Sequence, residues 1–271
     1  MNWMEFNDMQ LEIRLIAGPP GPAPIIFLHE GLGSVGMWTQ RGLDWPQAVC
    51  TAAGRAGVVY SRGGYGQSGP GPGKRAGSDD RPRSEPLPDY MHREAWEVLP
   101  ALLQKLQIDN PVLLGHSDGA TIALLYTSRF PVSACIAMAP HVIVEDISIR
   151  SIAQARTAFE SGGPGGLRER LARYHADVEG AFWQWNDVWL SAAFRNFDIR
   201  ADCRRIAAPL LLIQGLDDEY GTLRQLDEIA QAVAQPSRME QLRLAACGHS
   251  PHRDQPGKTL EAVTKFLENK P

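Results

Sequence analysis

Gly115-His116-Ser117-Asp118-Gly119 sets a serine between two glycines, each two residues away. A serine hydroxyl is a weak nucleophile at neutral pH and attacks well only beside a base. The pentapeptide follows the apolar run 111–114 and opens a stretch of small and apolar residues, 119–125. A sharp strand-to-helix turn presents a serine in this way, with glycines relieving the crowding on either side. The helix that follows turns N–H groups and a positive dipole end toward developing negative charge.

The chain has seven histidines to choose a base from. His249 lies in Cys247-Gly248-His249-Ser250-Pro251-His252, in the loop between the last expected strand and the last helix. His252 is its nearest competitor, read as a hydrogen-bonded loop residue. His29, His92, His116, His141 and His175 are read as structural or surface residues. The imidazole needs an acid to fix its tautomer and to stabilise its charged form. Gly215-Leu216-Asp217-Asp218-Glu219 follows the apolar run 210–214. Asp218 is the preferred acid, Asp217 the alternative, and Glu219 comes third. The chemistry implied is acyl transfer through a covalent ester on Ser117.

These loops need a frame. Residues 10–16 alternate as a half-buried strand, and 3–6 can pair with it through a turn at Asn7-Asp8. Short apolar runs at 25–29, 57–60, 111–114, 132–139 and 210–214 read as buried strands, and 239–244 as another. Helices are expected over 44–53, from a cap at Asp89 to 106, over 119–130, 222–234 and 258–267. Pro100 should kink or break the second of these. Between 65 and 88 the Gly/Pro-rich sequence reads as a surface loop. Residues 147–197 carry no strand signal. There Val178, Ala181, Phe182, Trp185 and Trp189 share one helical face, and Trp183 falls off it. Strands alternating with helices predict an α/β fold, a mostly parallel sheet covered on both faces, with ligands at the carboxyl ends of the strands. The division expected is a core of residues 1–140 and 201–271, with an all-helical cap, 141–200, inserted after the sixth strand.

The 271 residues carry a net charge of −4 and no Lys/Arg-rich block, which argues against a nucleic-acid partner. No apolar run approaches the length of a membrane helix. The first twelve residues lack the pattern of a secretory signal, and Cys50, Cys135, Cys203 and Cys247 form no C-x-x-C pair. Free thiols in the cytoplasm are therefore expected, with no metal or redox role. A small-molecule ester or acyl compound is the expected partner, and no cofactor is needed.

Beyond the pentapeptide, the chain carries His29-Glu30-Gly31-Leu32-Gly33-Ser34, Ser61-Arg62-Gly63-Gly64-Tyr65-Gly66-Gln67-Ser68, Gly215 to Asp218 and Gly248-His249. With these it resembles the α/β-hydrolase superfamily over nearly its whole length. The resemblance implies a Ser-Asp-His order and an acid three residues after Gly215, which is Asp218. It implies an oxyanion hole from the N–H of Asp118 and that of Gly31, with Leu32 the alternative because Glu30 stands where a glycine is usual. It implies that Arg62 anchors its loop through an ion pair. Glu30 is read as an ion-pair partner or a substrate contact. Leu32 and Trp183 are candidates for the substrate pocket. Relatives with this triad cleave esters, thioesters, lactones or carbon–carbon bonds, or act as perhydrolases or lyases, and some serve mainly as ligand receptors. An esterase is the first reading here.

Overall fold

The computed structural model describes residues 2–6, 9–69, 87–268 and 270. Its main sheet has eight strands. They are β1 (Asn2–Phe6), β2 (Met9–Ile16), β3 (Ile25–Leu28), β4 (Gly57–Tyr60), β5 (Val112–His116), β6 (Ala134–Met138), β7 (Leu210–Gly215) and β8 (Met239–Leu244). Their order is β1-β2-β4-β3-β5-β6-β7-β8. β2 runs antiparallel to both β1 and β4, and the pairs from β4 through β8 are all parallel. Every residue of β3 through β7 is buried, which is why these strands read as unbroken apolar runs rather than as alternation. β3 has β4 on one side and β5 on the other. The connection from β3 to β4 and the one from β4 to β5 therefore run in opposite directions along the sheet, which opens a crevice at the strands' carboxyl ends.

On one face α1 (Trp45–Ala53) and α9 (Pro256–Leu267) pack Trp45, Val49, Val263 and Phe266 against Phe27, Val59, Leu114 and Ile213. Asp44 starts α1 as its cap, accepting the Gln47 N–H, and is not itself helical. On the other face lie α2 (Tyr90–Arg93, Glu94–Val98 and Leu99–Leu106), α3 (Asp118–Thr127), α7 (Arg200–Cys203) and α8 (Arg224–Ala232). They bury Met91, Leu99, Ile122, Leu226 and Ile229 against Ile26, Leu113 and Leu212.

One helix expectation needs correction. Asp89 makes no side-chain cap, although its carbonyl accepts the Arg93 N–H. At Pro100 the helix is disturbed but not ended. The turn just before it, Glu94–Val98, is widened so that the Leu99 N–H bonds back to Glu94, which absorbs the missing donor of the proline. Of the expected loop, residues 70–86 lie outside the described residues, as does the turn at Asn7-Asp8.

Between β6 and β7 the chain forms α4 (Asp146–Ser161), α5 (Leu167–Ala172) and α6 (Val178–Leu190). The expected face of α6 buries Ala181, Phe182, Trp185 and Trp189, with Val178 half-buried. α6 is also buried toward α4. Phe182 stacks on Phe159, and the fully buried Asn186 accepts from Arg156 Nε (2.7 Å) and donates to the Ile152 carbonyl (3.0 Å).

Candidate active site

β5 ends at His116 and α3 begins at Asp118, leaving Ser117 alone in the turn at φ 54° and ψ −119°. Such a conformation costs a side-chain-bearing residue about 1–3 kcal/mol, so its surroundings must enforce it. The Ser117 N–H donates to the Met138 carbonyl (2.9 Å), and its own carbonyl accepts from Ala120 and Thr121. A Cβ on Gly119 would collide with the Leu28 carbonyl, and one on Gly115 with the backbone of Gly119. The two glycines let α3 start hard against β3 and β5, which forces the tight turn.

The structure brings the three predicted side chains into line. His249 Nε2 lies 2.9 Å from Ser117 Oγ, and His249 Nδ1 lies 2.9 and 3.0 Å from the two oxygens of Asp218. These partners assign the tautomer, with Nδ1–H donating to the carboxylate and Nε2 facing the hydroxyl. Asp218 also accepts the N–H groups of Tyr220 (2.8 Å) and Gly221 (3.1 Å) and the side-chain amide of Gln214 (3.2 Å). Burial pushes its carboxyl up, but His249 and these donors outweigh it and hold it at about 2. Burial likewise disfavours a charged imidazole at His249, yet Asp218, with Glu219 and Glu30 behind it, raises that ring above its usual value. Asp217 is exposed, while Glu219 accepts the backbone N–H of His249 (3.1 Å).

The N–H groups of Gly31, Leu32 and Asp118 meet no hydrogen-bond partner among the described residues. Arg62 is buried, donates to the carbonyls of Glu30 (3.0 Å) and Gly31 (3.4 Å), and lies 3.9 Å from the Asp118 carboxylate. It therefore ties the loop after β4 to the loop after β3. Tyr90 donates to Asp118 (2.5 Å) and accepts from the indole of Trp189 (3.0 Å). The predicted pocket residues are placed differently from each other. Leu32 is half-buried, with its carbonyl held by His175 Nε2 (2.9 Å). Trp183 donates to Glu179 (2.9 Å) and packs edge-on against Phe159 and Phe182 within the inserted helices. Trp185 is the ring that lies against Gly31.

Several neighbours of the line were not singled out from sequence. Tyr220 lies 4.7 Å from the His249 ring, His116 5.2 Å and His141 5.5 Å, centroid to centroid. His141 is buried, which lowers its ring to about 3 and keeps it neutral. His252 is buried among Trp38, Trp45 and His116, away from the line. No spacing signal marks Tyr90, His141 or Tyr220, because each arrives from a different loop or helix.

Residues 25–263 match the sequence model of the alpha/beta hydrolase family. The chain belongs to this family. Solved structures share the fold of this α/β hydrolase. They include the enol-lactonase of Burkholderia xenovorans LB400 (TM-score 0.70, 18% identity, 98% of this chain and 99% of that one covered). The proline iminopeptidase of Mycobacterium smegmatis is similar (0.71, 15%, 98% and 97%). So is a structure from work on carboxylesterases of Nitrososphaera gargenis (0.71, 16%, 98% and 97%). No match was found among curated proteins. Among the described residues, no helix is long and apolar enough to cross a membrane.

Proposed function

We propose that this α/β hydrolase cleaves a carboxylic ester or related acyl bond of a small molecule through an acyl-enzyme on Ser117. The observation that carries the reading is the unbroken line from Ser117 Oγ through His249 to Asp218, with the serine held in a strained turn at a helix start. His249 takes the hydroxyl proton as Ser117 Oγ attacks the carbonyl carbon. The N–H groups of Asp118 and of Gly31 or Leu32 receive the oxyanion, each worth about 3 kcal/mol to the transition state. The leaving group takes the proton from His249, and water, deprotonated by the same ring, frees the acyl group.

Residues 141–200 act as a cap over a core of residues 1–140 and 201–271. In support, Trp185 of α6 lies against Gly31, and His175 holds Leu32. Thioester, lactone and carbon–carbon cleavage use the same groups, and the fold is shared by a lactonase. The test is a fluorophosphonate label followed by peptide mapping, then a panel of p-nitrophenyl esters, thioesters and lactones. Label on Ser117, and turnover abolished in Ser117→Ala, is the expected result. Label on a different serine defeats the proposal.

A further inference from the structure

The carboxyl group of Glu30 is where three loops around Ser117 meet. One oxygen pairs with the guanidinium of Arg253, four residues past His249. The other lies 3.5 Å from Nδ1 of His116, the residue before Ser117. His116 donates from Nε2 to the backbone carbonyl of His249 at 2.7 Å. The main chain of Glu30 is held as firmly. Its carbonyl accepts from Arg62 (3.0 Å), from His29 Nδ1 (2.7 Å) and from the Gly33 N–H (3.0 Å). A Cβ on Gly33 would press on the Glu30 carboxylate at 2.6 Å, so that glycine leaves the space into which the side chain turns back.

We propose that Glu30 is a positioning residue for the reaction. By pairing with Arg253, it locks the loop that carries His249 to the loop that carries Gly31, and so sets the separation of imidazole and hydroxyl. His249 is then fixed on every side, with its ring on Asp218, its N–H on Glu219 and its carbonyl on His116. Without Glu30, Arg253 loses its partner, and the loop is free to shift. An error of about 1 Å in such a separation costs on the order of 100-fold in rate.

The bridge also places a fixed charge near the base. Burial opposes ionisation of Glu30, but Arg253, His116 and His252 hold its carboxyl well below the usual range. The groups facing His249 are Asp218, Glu219 and Tyr220 from the loop after β7, His116 beside the turn, Asp118 at the start of α3, His141 after β6, His252 three residues past His249, and Glu30 beyond His116. Of these, Asp218, Glu219 and Glu30 favour the charged ring. Removing the Glu30 charge therefore lowers the pH at which His249 becomes a base.

The inference rests on Ser117 being the nucleophile, and the test separates the two. The rate of fluorophosphonate inactivation is followed from pH 5 to 9 in the full-length wild type, Glu30→Gln and Glu30→Asp, with kcat and KM for a p-nitrophenyl ester measured alongside. Glu30→Gln should lower the plateau rate and kcat about 10- to 100-fold with KM little changed, and move the acid limb to lower pH. Glu30→Asp keeps the charge but not the reach. It should lower the rate while leaving the limb in place, a split that a purely structural role would not produce. If Glu30→Gln does not fold, Glu30→Asp still decides. Wild-type rates in either folded variant overturn the inference while the function stands. A wild type whose Ser117 is not labelled overturns both.

Discussion

At the scale of single residues, the proposed acid and the proposed nucleophile make separate predictions. The proposed catalysis through His249 needs a neutral ring, and Asp218 raises the pH at which that ring loses its proton. The acid limb of kcat/KM should therefore lie above the ordinary histidine value of about 6.5. Asp218→Asn removes the raising charge, so the limb should move down while kcat falls about 10³- to 10⁴-fold. Asp217→Asn, at an exposed position, should change kcat by less than about threefold, within the small effect usual for surface changes. A pH–rate series on the two variants checks both outcomes. Ser117 predicts a trade between activity and stability. Its φ of 54° suits glycine far better than any residue with a Cβ. Ser117→Gly and Ser117→Ala should both be inactive, but the glycine variant should be more stable than the alanine one by about 1 kcal/mol in urea denaturation.

At the scale of elements, the inserted helices are tied to the core at several places, two of which differ in kind. On the acid side, Glu145 accepts the N–H and hydroxyl of Thr222 (2.9 and 2.7 Å), and Ser148 donates to the Tyr220 carbonyl (2.5 Å). On the oxyanion side, the His175 imidazole spans the gap beside the Ala176 N–H, which donates to the Gly66 carbonyl (2.8 Å). His175 Nδ1 accepts the Gly66 N–H (2.9 Å), while Nε2–H donates to the Leu32 carbonyl (2.9 Å). Both backbone groups lose their partner if the ring is removed. His175→Ala should then cost about 2–4 kcal/mol of stability, measured by denaturant unfolding, since each orphaned buried group costs about 1–3 kcal/mol. α2 shows how an element can accommodate a residue that opposes it. Pro100 reads as a kink or a break, and the helix continues past it through a widened turn, with Leu99, Leu102 and Leu103 packed in the core.

At the scale of the whole molecule, the four cysteines are buried and unpaired. Burial pushes Cys50, Cys135 and Cys203 up to about 12 and Cys247 to about 11. The thiolate is the reactive form. The native protein should therefore resist a disulfide reagent such as DTNB at pH 8 for as long as it stays folded, and all four thiols should react once guanidinium unfolds it. Fold class was legible in the sequence because β3 through β7 are covered on both faces and so must be apolar along their length. The three residues of the line were also legible, Ser117 from its G-x-S-x-G turn, His249 from its place in the last strand-end loop, and Asp218, among three adjacent acids, through the resemblance to the family's spacing. What no local pattern could carry is the set of contacts between loops distant in the chain. Glu30 meeting Arg253, Tyr90 meeting Asp118, and Trp185 rather than Trp183 lying against Gly31 were decided only when the sheet brought those segments to one edge. Periodicity and spacing act over a few residues, whereas a partly buried ion pair 223 positions apart exists only through the packing that closes around it.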